Sequence, residues 1–248
     1  MDKVYLYDGS FVGLLNLILE LIKMNERPYN IKDELYSSSL FETLINFDIP
    51  WDASVLKNMR LSFGKYALDV IYYVFLSEEN NKELIIYYFV LNALKFHKNI
   101  VYRRDLKCVS EALRISQYVI HEGHKMKGFL RFKELENKVL YAEIEPTNDV
   151  ILLLSDHFKK RLCNEYWIIR DVKRGLLSIY NKKKYIVVLE ENFTFSTLNL
   201  SEEEKEMESL WKVFYKTIGI DARRNDRCRR NFMPKKYWKY ILEVEDEL

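Results

Sequence analysis

The chain has 248 residues, 48% of them hydrophobic and 15% aromatic, so it can bury a core and does not have a disordered composition. Seven glycines, four prolines and three widely spaced cysteines, Cys108, Cys163 and Cys228, exclude collagen-like, glycine-linker and disulfide-framework classes. The net charge of +2 hides an uneven distribution: residues 185–208 carry net −6, residues 209–240 carry +8 and residues 241–248 carry −4.

Residues 4–7 read as a short strand, and Asp8-Gly9-Ser10 as a turn whose Ser10 caps the next helix. Residues 11–24 place apolar side chains at 11, 14, 15, 18, 21 and 22, which is helical spacing. Residues 26–53 are mixed and punctuated by Pro28 and Pro50. Three helices are expected at about 55–77, 81–97 and 105–127, with breaks at Asn80-Asn81 and Lys98-Asn99. Gly128 stands where a helix C-cap glycine belongs.

The period then changes to two. Leu130 and Phe132, then Leu140, Ala142 and Ile144, predict strands joined by a turn at Asn137-Lys138. In that hairpin Arg131 and Lys133 are expected opposite Glu143 and Glu145. A short helix at 149–163 and strands at 166–171, 176–180 and 185–189 follow, with a turn at Lys182-Lys183-Lys184. Ser201-Glu202-Glu203-Glu204 has the S-x-x-E capping pattern, and the helix it opens carries Met207, Leu210, Trp211, Phe214 and Ile218 on one stripe. Residues 231–234 break that region, and Pro234 opens a last helix.

The fold class expected is α+β: an α-helical N-terminal half, a small, mainly antiparallel sheet in the middle and closing C-terminal helices. Residues 1–248 are expected to form one domain, divisible into subdomains 1–127 and 128–248. No apolar run reaches the length of a membrane span, and no basic segment followed by an apolar run stands near Met1, so neither a membrane helix nor a signal peptide is expected. The unpaired cysteines fit a reducing compartment, and the expected location is cytoplasmic.

Candidate chemistry is sparse. His121 and His124 stand three apart, whereas a zinc-binding HExxH needs four, and packing or capping histidines are the plainer reading; no metal is expected. Glu134, Glu136, Glu143 and Glu145 put several carboxylates on one hairpin, suited either to acid–base work or to an ion-paired face. Asp171, beside Lys173 and Arg174 and ahead of Gly175, has the same two readings. The catalytic candidates are therefore Glu143, Glu145, His124 and Asp171. No P-loop, GxGxxG or GxSxG occurs, and no cofactor is expected.

The C-terminal region says more. Arg223, Arg224, Arg227, Arg229 and Arg230 are followed by Lys235, Lys236 and Lys239, interleaved with Tyr237, Trp238 and Tyr240. Guanidinium forks suit phosphate and aromatic rings stack on bases, which makes the five arginines with Lys235 and Lys236 the expected nucleic-acid contact. The competing reading is structural: the arginines neutralise the acidic stretch 202–208 and the aromatics belong to the core.

Several phrases then act together. They are Tyr7-Asp8-Gly9-Ser10-Phe11, the run from His124 to Phe132 (HKMKGFLRF), and the run from Tyr141 to Pro146 (YAEIEP). With them go His157-Phe158 and Arg161, Asp171-Val172-Lys173-Arg174-Gly175, and the run from Asn231 to Tyr240 (NFMPKKYWKY). In order and spacing the chain resembles, almost end to end, the bacterial family called "probable DNA metabolism protein", a domain of unknown function. That resemblance implies a role in DNA repair or modification beside a radical-SAM partner, and elsewhere a similar domain is fused to one of the uracil-DNA-glycosylase type. It supplies no active site. The chain has no CxxxCxxC iron–sulfur motif, so radical chemistry would belong to the partner. Three functions stay open: a DNA-binding accessory, a nucleic-acid-processing enzyme using the carboxylates and His124, and a protein-only scaffold.

Overall fold

The computed structural model describes residues 2–36, 42–46, 52–192, 199–223 and 225–242. Arg224 lies outside the described residues. The chain divides into two compact units, Met1–His121 and Glu122–Leu248.

The first unit contains β1 (Asp2–Tyr7), α1 (Phe11–Lys23), β2 (Asn30–Asp33), β3 (Glu42–Asn46), α2 (Ser54–Phe63), α3 (Lys65–Phe75) and α4 (Lys82–Phe96). A 3-10 turn, His97–Tyr102, leads into α5 (Lys107–Phe129), and the division between the units falls within that helix. β1 is the middle strand of three and pairs in parallel with both neighbours. Parallel partners need a crossover, and α1 supplies it between β1 and β2. Its apolar face is complete: Leu14, Leu15, Leu17, Ile18 and Leu21 are buried with Ile31, Ile71, Ile86 and Phe89. Ser10 caps α1 as expected, its Oγ accepting from the Gly13 amide at 2.9 Å while Asp8 Oδ1 accepts from the Ser10 amide and hydroxyl. A Cβ at position 13 would stand 1.9 Å from Asp8 Oδ1, so a side chain there would displace the Asp8 carboxylate from its bonds to Ser10.

Two local expectations in this unit are corrected. The helix expected over 55–77 is two helices, broken at Gly64, whose φ of 84° and ψ of 161° lie in a region reserved for glycine. The mixed stretch 26–53 holds two strands, β2 and β3, which periodicity did not reveal.

The second unit contains β4 (Lys133–Glu134), β5 (Leu140–Ile144), α6 (Ile151–Arg161), β6 (Tyr166–Asp171), β7 (Leu176–Asn181), β8 (Tyr185–Leu189), α7 (Glu202–Ile218) and α8 (Asp226–Phe232), closed by a 3-10 helix, Lys235–Tyr240. The strands follow one another in order across the sheet; β5 and β6 are parallel across the α6 crossover and the other pairings are antiparallel. Trp167 stacks on Tyr180 at 5.0 Å, Phe132 packs edge-on against Phe158, and the Ser155 and Ser178 hydroxyls hydrogen-bond at 2.6 Å inside the core.

Here too the structure differs in places. Gly128 lies inside α5 and does not cap it. The β4–β5 register sets Lys133 against Tyr141 and Glu134 against Leu140, so Arg131 and Lys133 do not face Glu143 and Glu145. They reach α7 instead, with Arg131 3.6 Å from Glu204 and Lys133 3.1 Å from Glu208. The capping box is half formed: Ser201 Oγ accepts from the Glu204 amide at 3.1 Å, but the Glu204 carboxylate accepts from the Glu134 amide. The stripe on α7 faces outward, with Met207, Leu210, Phe214 and Ile218 all more than half exposed. No helix of the described residues is long and apolar enough to cross a membrane.

Replacing Gly64 forces a side chain into a backbone region that costs about 1–3 kcal/mol. Gly64→Ala should lower the urea midpoint by a corresponding amount at unchanged slope. Its Cβ would meet nothing closer than Lys98 Cγ at 3.8 Å, so any loss reports backbone strain and not a clash.

Candidate nucleic-acid interface

The interface is organised by a residue the sequence does not advertise. Glu122, in the last turns of α5, has a side chain only 10% exposed. It accepts from the amides of Thr147 and Asn148, both at 2.8 Å, from Asn148 Nδ2 at 2.7 Å, from the Tyr237 hydroxyl at 2.6 Å and from Lys236 Nζ at 3.2 Å. Burial alone would raise its pKa. The Tyr237 hydroxyl, the two amides and the Lys236 ammonium outweigh burial and hold it at about 2. One carboxylate thus ties α5, the β5–α6 loop and the C-terminal 3-10 helix together.

That 3-10 helix is clamped along its length. Tyr237 and Trp238 are buried, Tyr237 packs against Phe129, and Trp238 Nε1 donates to the Met233 carbonyl at 2.9 Å. Tyr240 donates to Glu145 at 3.1 Å, and Lys239 pairs with the same carboxylate, holding it below its usual pKa. The aromatics are therefore structural, and they aim the lysines between them.

Lys235, Lys236 and Lys239 join Lys173 around an open groove of about 500 Å³, floored by Glu145, Pro146 and Thr147. Asp171 explains how Lys173 gets there. Its side chain is fully buried at the end of β6 and accepts from the Lys173 amide at 3.1 Å, the Arg174 amide at 3.3 Å and Arg174 Nη1 at 3.0 Å. Burial pushes the Asp171 pKa up, and Arg174 opposes that shift. Arg174 also donates to the carbonyls of Pro146 and Thr147, which fixes the β6–β7 turn against the groove floor. Gly175 completes the turn at φ 60°.

The arginine segment splits by role. Arg229 is half-buried with its guanidinium 4.5 Å from the Trp238 ring, a packing position. Arg223, Arg227 and Arg230 are exposed, the last with Nε donating to the Asp226 carbonyl at 3.1 Å. The acidic side chains of α7 make ion pairs elsewhere: Glu202 with Lys205, Glu203 with Lys138, Glu204 with Arg131 and Glu208 with Lys133.

The four catalytic candidates occupy different places. Glu143 accepts from Tyr141 at 2.7 Å and from Arg170 at 2.9 Å, and Arg170 also binds Glu190. Glu143 lines a cavity of about 290 Å³, Glu145 lines the groove, and Asp171 is sealed in its turn. His124 and His121 lie on exposed positions of α5. Among the described residues no three His, Cys, Asp or Glu side chains are grouped to hold a metal ion. Sequence reasoning missed Glu122 and Arg170, and named Arg174 only as a neighbour of Asp171. The clue for Glu122 is its place two residues ahead of the HKMKGFLRF phrase on the same helix, but nothing local marks it as buried.

A family model described as a domain of unknown function, DUF4130, matches residues 80–243. Comparison with curated proteins and with solved structures gives no match.

The Glu122 site carries a pH signature. A carboxylate depressed to about 2 from an ordinary 4.5 adds stability that is present above 4.5 and lost as pH falls toward 2. The shift corresponds to about 3 kcal/mol. Glu122→Gln should therefore be less stable than the parent near neutrality, and the two urea midpoints should converge as pH drops through that interval. Asp171 titrates with the opposite sign but is common to both proteins and cancels in the difference. Parallel midpoint curves would sink the assignment.

Proposed function

The chain belongs to the DUF4130 family of domains of unknown function, and on that premise we propose that it is a DNA-binding accessory protein that uses the lysine groove of its second unit. The observation that carries this reading is the convergence of four lysines on one groove, of which Lys236 pairs with Glu122 and Lys239 with Glu145. Four ammonium groups around one concave surface suit a polyanion whose phosphates exchange with the carboxylates as partners. The exposed Arg223, Arg227 and Arg230 extend the basic surface along the chain.

Lysine is a point charge and reads no sequence, so the groove would position a backbone and not select bases. An accessory role follows from that chemistry and from the separation of the four catalytic candidates. The resemblance described above adds the identity of the partner: a radical-SAM protein of DNA repair or modification would perform the reaction on the strand held here. The cysteines, set far apart, leave the iron–sulfur chemistry to that partner.

Affinity for single-stranded DNA, duplex DNA and an RNA control should fall steeply between roughly 50 and 200 mM salt. Lys173→Gln and Lys235→Gln should each weaken binding of every sequence alike and reduce the slope of log K against log salt by about 0.7 on single strands. Arg227→Gln and Arg230→Gln test the extension of the surface in the same way. A salt slope untouched by the two lysine variants would refute the groove, and absence of binding to any nucleic acid would refute the function.

A further inference from the structure

We propose that the cavity of about 290 Å³ beside the groove receives a single nucleobase from the strand whose phosphates the lysines hold, an inference that rests on the DNA-binding reading above. The two concavities share a wall. Lys239 lines both, and Tyr240, which lines the cavity, donates its hydroxyl to Glu145 on the groove floor. A backbone in the groove therefore passes within one residue of the cavity mouth.

The charges around the cavity decide which part of a nucleotide it suits. Arg131 pairs with Glu204, Lys133 with Glu208, Lys239 with Glu145 and Glu143 with Arg170. Every charged wall residue already faces an opposite charge, so the cavity offers little to a phosphate and favours a neutral polar guest. The groove, lined by four lysines, has the contrary bias.

The remaining surface fits a flat heterocycle. Leu135, Leu200 and Leu242 give apolar area, and the Tyr240 ring gives a stacking face. Glu143 is a carboxylate fixed in place by Tyr141 and Arg170 and accepts hydrogen bonds only. A fixed acceptor beside a stacking face complements a nucleobase, whose edge presents hydrogen-bond donors.

The test uses the full chain and single-stranded DNA of about twelve nucleotides, with 2-aminopurine at one position, beside an abasic strand of equal phosphate number. The base-bearing strand should bind roughly tenfold more tightly, with quenched 2-aminopurine fluorescence, and both strands should show the same salt slope. Leu200→Trp, which fills the cavity, should bring the two affinities together and abolish the quench while leaving the salt slope unchanged. Glu143→Gln, a milder change, should reduce the preference for the base-bearing strand several-fold with binding of the abasic strand unaffected. A free nucleoside monophosphate should bind far more weakly than the strand; equal affinity would make the cavity a nucleotide site independent of DNA and overturn the proposal. Equal binding of base-bearing and abasic strands by the parent protein overturns the cavity's role and leaves the groove standing. If neither strand binds, the proposed function fails first and the cavity's role with it.

Discussion

A buried carboxylate, Glu122, is the constraint on which the geometry of the second unit's lysine groove depends. An ionised acid taken out of water costs several kcal/mol unless donors replace its hydration. Glu122 is given five, from the β5–α6 loop and the C-terminal 3-10 helix. The donors come from two otherwise separate segments, so satisfying the charge fixes both against α5. The lysines of the groove then stand on a surface whose geometry is set from within. The same carboxylate offsets part of the groove's charge, because it pairs with Lys236. Glu145 does the same for Lys239. On the proposed reading, anions would bind such a surface by exchange of partners, and salt would compete directly with that exchange.

Four of the phrases that carry the family resemblance, scattered over more than a hundred residues of the second unit, meet in one place. Phe129 from HKMKGFLRF packs under Tyr237, Glu145 and Pro146 from YAEIEP form the groove floor, and Lys173 and Arg174 from DVKRG bound it. NFMPKKYWKY supplies the other lysines and the aromatic clamp. Asp171 shows how a candidate catalytic group can have a structural task. It has no exposed surface and makes three hydrogen bonds into its own turn, which positions Lys173.

What was legible in the sequence follows the range of the forces involved. Ser10 and α1 were readable because a cap and a 3.6-residue stripe are local. So were β6, β7 and β8, where short connections and turn residues punctuate the strands. β2 and β3 were not, because only one residue of β2 is buried and β3 has none, so neither strand shows the alternation a half-buried strand should. Their pairing with β1 is parallel and depends on distant chain. The β4–β5 register failed for a different reason: opposite charges suggested one alignment, while the turn at Lys138, with φ of 63°, imposes another. Glu122 was illegible in principle. Its donors lie 25 and 115 residues away, and without them it is an ordinary helix glutamate.

The arginine cluster carries the same lesson into function. Composition treats Arg223, Arg227, Arg229 and Arg230 as one patch, but packing separates them. The Arg229 guanidinium lies over Trp238, where its planar face does structural service that a lysine point charge would perform less well. Arg223, Arg227 and Arg230 are exposed, and four lysines line a groove that Lys173 joins from another part of the chain. A net charge of +8 over residues 209–240 marks the stretch that supplies Lys235, Lys236 and Lys239, but it gives no sign that Lys173 joins them. Charge along a chain predicts a field, and only the fold decides which of those charges share a concave surface with a neutral cavity beside it.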